Sequence, residues 1–418
     1  MRASPEPVSA ATSYFAVAPP GLEPVVAAEL RALGIDGVAA HGGVEFEGDV
    51  ARMRLANLHL RCATRVLLRL GHFRARSFFE LERHAARVPW ARVLAPGTAV
   101  ALRVTSTKSK LYHERAIAER LYAAIEAATG AQQAAAAVDE EEGSADAQLL
   151  VVRVLRDEFT VSADSSGEAL HRRGYREAIG KAPLRESLAA ALLQHAGWRG
   201  DRPLLDPFCG SGTIPIEAAL LARRIAPGIA RADRAARAFA FTHWPQHDER
   251  AWQAQVEEAR RAVLDRSPVA VRGSDRNAGA IRIAVANAER AGVAEDIEWE
   301  VAALGGAVPP AGAAVVTNPP YGVRVSEGPD LRDLYAAFGR WLRERVTGGA
   351  AVLSPPGALE AQLGMVVRAA ADTRNGGLVV RVLVMPPPVL AGDAGGPYST
   401  DDASDPVPGA PTSTPGEP

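Results

Sequence analysis

The sequence predicts an open, Rossmann-like α/β domain preceded by a smaller α+β region, and three observations carry that prediction. First, Pro203-Leu204-Leu205 is a short apolar strand running into Asp206-Pro207-Phe208-Cys209-Gly210-Ser211-Gly212-Thr213, and residues 213–222 have the composition of a helix opening directly behind the glycines. Second, strand and helix patterns then alternate: a strand over 269–274 ending at Asp275, a helix over 278–291, a strand over 297–301, and a buried strand over 313–317 that leads into Asn318-Pro319-Pro320-Tyr321. Third, the N-terminal part mixes the two signals differently, with an apolar run of strand length at 14–18 and helical spacing over 23–33 closed by Gly34.

The most informative element is Asn318-Pro319-Pro320-Tyr321. An exocyclic or amide nitrogen is a poor nucleophile because its lone pair is delocalised. A site that alkylates such a nitrogen must hold its hydrogens with acceptors that strengthen as the nitrogen becomes tetrahedral and gains positive charge. The Asn318 side-chain oxygen and the Pro319 carbonyl suit this task. The two prolines stiffen the turn and remove two backbone donors, so it presents acceptors only. Tyr321 offers a flat apolar face on which a base or amide can stack. A plain turn after a buried strand is the bland alternative; against it, the strand delivers the turn to a carboxyl edge, where open α/β sheets hold their ligands.

The glycine loop implies the partner in such a reaction, a methyl donor. A Gly-x-Gly loop alone also fits dehydrogenases and phosphate binders. Here Asp206 ends the strand and the third glycine of the dinucleotide pattern is missing. An acid at that point pairs with an ammonium and repels a pyrophosphate. Gly210 and Gly212 are expected to let backbone approach the ligand. Asp275, at the next strand end, supplies the carboxylate that two ribose hydroxyls need. Its distance from the glycines exceeds the usual ~20 residues, so an inserted helical segment lies between, and its aromatic run Phe239-Ala240-Phe241-Thr242-His243-Trp244-Pro245 is expected in the core.

Composition narrows the classes without naming one. The chain has 418 residues, 47% of them apolar, enough for two or three cored domains, and a net charge of −2. Charge is uneven: residues 60–125 hold 13 Arg and Lys against four Glu, a surface that attracts phosphates in a salt-sensitive way. The alternative is that several of these arginines flank amphipathic helices. The two cysteines, Cys62 and Cys209, fall in separate domains and build neither a disulfide framework nor a metal site. No apolar run approaches the ~20 residues of a membrane span, and Met1-Arg2-Ala3-Ser4-Pro5 leads into no signal-peptide core; a cytoplasmic protein is expected.

Further motifs extend the pattern upstream: Pro20-Gly21-Leu22-Glu23, Gly42-Gly43-Val44-Glu45-Phe46, Ala56-Asn57-Leu58, the run from Arg61 to Leu67, Lys108-Ser109-Lys110-Leu111-Tyr112-His113, Asp164-Ser165-Ser166-Gly167, Leu170-His171-Arg172-Arg173-Gly174-Tyr175-Arg176 and Ala182-Pro183-Leu184-Arg185-Glu186. Together with the two site motifs these resemble the THUMP-domain class I RNA methyltransferases that make N2-methylguanosine, in particular the bacterial 23S rRNA enzymes, over most of the chain. The resemblance implies S-adenosylmethionine as cofactor, held by Asp206, Cys209, Gly210, Gly212, Thr213, Asp275 and Asn318. It implies Asn318, Pro319 and Tyr321 as the residues that grip the target guanine, and no metal. It assigns Lys108, Lys110 and His113 to RNA, and gives Arg172, Arg173 and Arg176 to RNA phosphates or donor positioning, a structural role being the alternative. Residues 182–184 would start the helix that covers the pocket. Glu217, one turn into the first helix, either reaches back toward the loop or lies on a solvated face.

The implied organisation is a loose N-terminus (1–13), a ferredoxin-like domain (14–73), a THUMP domain (74–163), a class I methyltransferase domain (164–386) and a disordered tail (387–418), the tail because it is rich in Pro, Gly, Ser, Thr and Asp. Within the THUMP unit a strand is expected over 99–104 and a helix over 111–128, with residues 130–142 a surface loop. Late in the catalytic domain come a helix over 331–345 and strands over 350–353 and 378–384. One departure stands out: where the family has an acid for the adenine amine, this chain has Ala302-Ala303, a loss of roughly 0.5–1.5 kcal/mol that a backbone carbonyl, a water or Glu300 offsets. Structured RNA is the expected partner, with tRNA the competitor to 23S rRNA and a non-catalytic ribosome-assembly factor the rival from another class.

Overall fold

A computed structural model describes residues 12–134, 147–176, 184–321, 329–357 and 359–386. The N-terminal half contains β1 (Thr12–Val17), α1 (Glu23–Ala32), β2 (Gly37–Ala40), β3 (Gly43–Gly48), α2 (Val50–His59), β4 (Arg65–Arg74), α3 (Phe78–Ala85), β5 (Ala99–Thr107), α4 (Glu114–Thr129), β6 (Gln132–Gln133), β7 (Ala147–Leu155) and β8 (Glu158–Asp164). These strands form one sheet in the order β2-β3-β1-β4-β8-β7-β5-β6. The boundary expected at 73/74 falls inside β4, which pairs with β1 along one edge and β8 along the other. Part of the surface loop expected at 130–142 is an edge strand, β6, parallel to β5; residues 135–142 lie outside the described residues.

The second half contains α5 (Glu186–His195), β9 (Leu204–Asp206), α6 (Thr213–Ala222), α7 (Glu249–Arg261), β10 (Val271–Asp275), α8 (Ala278–Ala291), β11 (Ile297–Val301), β12 (Ala314–Thr317), α9 (Pro329–Arg345), β13 (Ala350–Ser354), α10 (Glu360–Leu363), β14 (Arg368–Asn375) and β15 (Leu378–Met385). Its sheet runs β11-β10-β9-β12-β13-β15-β14, parallel except for β15, which is antiparallel to both its neighbours. The central strands are continuous apolar runs, as strands covered on both faces require: Ala314, Val315 and Val316 are fully buried, and so are Ala351, Val352 and Leu353. Helix α8 begins where Asn277 Oδ1 accepts the Gly279 and Ala280 amides and ends at Gly292 with φ +66°, each device stabilising by about 1 kcal/mol or less. Of the aromatic run, Phe239 and Phe241 are core, stacked at 5.3 Å and both edge-on to Trp252, while Trp244 is half-buried and His243 and Pro245 are exposed.

Strand order makes the site. From β9 the chain steps outward through β10 to β11 and then returns to β12 on the other side of β9, so the switch point of the sheet lies between β9 and β12. Ala314 and Val315 pair with Leu204 and Leu205, which aligns the segments following Asp206 and Thr317 at one carboxyl edge, the ligand-binding position of such sheets. The two halves pack closely: a Cβ on Gly21 would lie 2.2 Å from the Asp372 carbonyl oxygen, and one on Gly228 would lie 2.7 Å from the Leu58 side chain. Among the described residues no helix is long and apolar enough to cross a membrane.

Candidate active site

Asp206 closes β9 almost without exposure. Its Oδ1 accepts the Thr317 hydroxyl at 2.6 Å and the Phe208 amide at 3.1 Å. Burial pushes its pKa up to about 7, with the Asp275 charge adding to the rise and the two hydrogen bonds opposing it. The Thr317 bond bridges the two motifs, since Thr317 immediately precedes Asn318.

The loop that follows is held mostly by backbone. Cys209 N donates to Ser274 O at 3.0 Å, Gly212 N to Cys209 O at 2.8 Å, and Gly210 N to Asp275 Oδ2 at 3.0 Å. Asp275 Oδ1 accepts the Asn277 amide at 2.8 Å, and a carboxylate has roughly four lone-pair sites, so capacity remains for a further donor. Gly210, at φ +53°, has open space where a Cβ would stand, as a close-approach glycine should. Gly212 differs: a Cβ there would sit 2.7 Å from the Trp299 ring and 2.8 Å from Ala284 Cβ, so its missing side chain also serves helix–sheet packing. Cys209 is buried, with its thiol pKa raised by burial. The Thr213 hydroxyl accepts Arg176 Nη2 at 3.0 Å.

Across the switch point, Asn318 Oδ1 is buried and has no hydrogen-bond partner among the described residues. An orphaned buried acceptor is uncommon and costly, and this one belongs to the residue assigned to grip an amine. Pro319 is buried. Pro320 O accepts the Tyr335 hydroxyl at 2.9 Å. Tyr321 is partly buried and its hydroxyl accepts Asn375 Nδ2 at 3.0 Å, which fixes the ring. Sequence reasoning found neither Tyr335 nor Asn375. A signal for the second existed: Asn375 opens Asn-Gly-Gly, the turn joining β14 to β15, with Gly376 at φ +56° and Gly377 at φ +86° as a two-residue hairpin demands.

The residues assigned to RNA divide. Lys108, Lys110 and His113 are exposed on the connection from β5 to α4, with Tyr112 exposed beside His113. Arg172 is half-exposed and paired with Glu168 at 2.9 Å. Arg173 is a correction: its side chain is fully buried against Glu217, and it donates to the carbonyls of Leu170 and Arg61, so it faces no RNA. Arg176 is mostly buried and turned to the donor loop. Glu217 is not on a solvated face either; it is 1% exposed and accepts the Tyr175 hydroxyl at 3.1 Å. Ala182 and Pro183 lie outside the described residues, and α5, entirely buried over 186–193, packs on the sheet beside α6. Ala303 is exposed. Glu300 lines a cavity of about 300 Å³ with Leu205, Arg272, Ser274 and Trp299.

A glycine loop and buried acid after the first strand, a second acid after the next, and an Asn-Pro-Pro-Tyr turn across the switch point define a class I methyltransferase domain. The chain belongs to the RMKL-like methyltransferase family. The family model described as "RMKL-like, methyltransferase domain" matches residues 173–375, and that of the "RlmL ferredoxin-like domain" matches 13–67. Among curated relatives, the chain is 37% identical over 392 residues to the ribosomal RNA large subunit methyltransferase K/L of Syntrophotalea carbinolica, covering 90% of this chain and 54% of that protein. It is 34% identical over 374 residues to the putative RNA methyltransferase slr0064 of Synechocystis sp., covering 88% and 95%. The chain thus spans about half the length of the K/L relative. Among solved structures it resembles SMU.472, a putative methyltransferase complexed with SAH, with a TM-score of 0.78 at 28% identity, covering 90% of this chain and 98% of that one. A predicted N6-adenine-specific DNA methylase from Listeria monocytogenes aligns with a TM-score of 0.78 at 32% identity, covering 91% and 97%.

Proposed function

We propose that this protein transfers a methyl group from S-adenosylmethionine to the exocyclic N2 amine of a guanine in structured RNA, 23S rRNA in particular. The observation that carries the reading is the buried Oδ1 of Asn318, without a partner among the described residues, beside a donor loop to which Thr317 and Asp206 tie it. The name of the K/L relative supports large-subunit rRNA as substrate, and the SAH complex of SMU.472 supports the cofactor. We divide the chain at 14–73, 74–163 and 164–386, with the first two units docking RNA through Lys108, Lys110, His113 and the basic stretch around them, in the cytoplasm.

The residues fit the cofactor. Asp206 is an acid suited to an ammonium, Gly210 leaves open space above the loop, and Asp275 keeps capacity for ribose hydroxyls. When bound, S-adenosylmethionine supplies an electrophilic methyl group. The chain does the rest by position. Asn318 Oδ1 and the Pro319 carbonyl accept the two hydrogens of the guanine amine and gain strength as the nitrogen leaves planarity. Tyr321, fixed by Asn375, lies against the face of a base turned out of its stack. The gain is chiefly proximity and orientation; the amine proton becomes acidic as the nitrogen is alkylated and leaves to water, so no strong base is required.

Methyl transfer to RNA by the purified protein tests this. Asn318→Ala should lower kcat by about 10²–10³-fold, the loss seen for a single transition-state hydrogen-bonding partner, with RNA affinity nearly intact. A variant retaining near-normal rate would sink the assigned role.

A further inference from the structure

Behind the donor loop lies a buried polar knot that the chemistry above does not use. Glu217 Oε1 accepts the Tyr175 hydroxyl at 3.1 Å and faces Arg173 Nε at 3.5 Å, while Arg61 Nη1 stands 3.9 Å from Oε2. Burying ions is unfavourable unless they are fully bonded, yet Glu217 Oε2, Arg61 Nη1 and Arg173 Nε make no hydrogen bond among the described residues. Stability alone does not account for such a cluster. Its members come from three places: Arg61 from the connection between α2 and β4, Arg173 and Tyr175 from the peptide that joins the two sheets, and Glu217 from α6.

From that joining peptide the bonds continue into the donor loop. Arg176 Nη2 donates to Leu184 O at 2.6 Å and to Thr213 Oγ1 at 3.0 Å. The Tyr175 carbonyl accepts Arg290 Nε at 2.8 Å, Arg290 Nη2 donates to Asn287 Oδ1 at 2.5 Å, and Asn287 Nδ2 donates to Ser211 O at 2.9 Å. The loop is therefore gripped at Ser211 from α8 and at Thr213 from the joining peptide, and that peptide is anchored in the N-terminal half where Arg173 Nη2 donates to Arg61 O at 2.6 Å.

We infer that Asn287 and Arg290 are positioning residues for the donor loop, and that residues 173–176 make the seating of the N-terminal sheet a condition of that loop's shape. The inference rests on the donor reading of the loop. Neither residue touches the donor; each acts through Ser211 O and Tyr175 O, so its signature is a change in donor affinity separated from RNA affinity and from turnover at saturating donor.

The test is calorimetric titration of S-adenosylhomocysteine into the full chain, beside steady-state methyl transfer and thermal unfolding. Asn287→Ala and Arg290→Lys should each raise the donor Kd about tenfold, the effect of one lost buried hydrogen bond, with kcat at saturating donor within about twofold and the RNA KM unchanged. Arg290 is only partly buried and keeps its charge as lysine, so that variant folds even if Asn287→Ala does not. Unchanged donor Kd in a folded Arg290→Lys overturns the inference and leaves the donor reading standing, because the unaltered protein still binds. Parallel loss of donor affinity, RNA affinity and kcat with a lowered Tm marks a merely structural role and also overturns it. No binding by the unaltered protein removes the donor reading itself.

Discussion

On the β9 side of the sheet edge, residues 209–213 are held by the protein at several points: Cys209 N with Ser274, Gly210 N with Asp275, Ser211 O with Asn287, Thr213 Oγ1 with Arg176. On the β12 side, Asn318 Oδ1 is buried with no partner among the described residues, and the turn around it is steadied by Asp206 through Thr317, by Tyr335 of α9 and by Asn375 of β14. A loop tied at four successive points is largely preformed, and its ligand finds a finished shape. A turn with an orphaned acceptor is completed by what it binds. On the proposed function, the first side suits the methyl donor and the second the RNA base.

The sharpest break of this contrast on the donor side is at Asp206. Asp206→Asn should weaken donor affinity by about 10²-fold, since an ammonium left without its buried carboxylate loses roughly 2–5 kcal/mol. The raised pKa of about 7 adds a pH signature. A donor ammonium selects the ionised form, so affinity should rise with pH up to about 7 and level off above it, with proton release on binding below 7. Stability runs the other way: the folded pKa lies above the ordinary 3.8, so the protonated carboxyl contributes stability that is full below about 4 and lost as pH rises through 7. Asp206→Asn, which keeps an acceptor for Thr317, should flatten both dependences. Calorimetry and thermal unfolding at pH 5.5 to 8.5, approximate limits within the range where such a group titrates, read the two effects together.

A smaller effect is expected on the acceptor side. Asn375→Ala removes the bond to Tyr321 and should lower kcat about fivefold, equivalent to the ~1 kcal/mol of one hydrogen bond, without altering donor affinity. Equal losses in donor affinity and kcat would show that the two sides are not separable.

The donor loop and the Asn-Pro-Pro-Tyr turn were legible because their chemistry is local: each is one contiguous motif at a strand end. The helices over 213–222 and 278–291 were legible for the same reason, being bounded by Gly212 on one side and by Asn277 and Gly292 on the other. What escaped is long-range. Nothing near Arg173 or Glu217 in the sequence says that they meet inside the protein, and a charged run reads as surface until the fold buries it. The sequence near Gly212 does not show that Trp299, from an edge strand far downstream, fills the space of its Cβ. The β14 strand carries Arg368, Asp372 and Arg374 on an exposed sheet edge, a pattern suited to an edge strand but poor in the apolar alternation by which strands are recognised, and Asn375 was lost with it.

Nucleoside mass spectrometry on 23S rRNA and tRNA, each from cells lacking this protein and incubated with the purified chain and S-adenosylmethionine, tests the account most directly. New N2-methylguanosine in 23S rRNA, and none in tRNA, is the predicted result. N2-methylguanosine in tRNA alone would keep the chemistry and overturn the substrate. No methylated nucleoside in either RNA, with the protein folded and RNA-bound, would contradict the account and favour a ribosome-assembly factor that has kept the fold without the reaction.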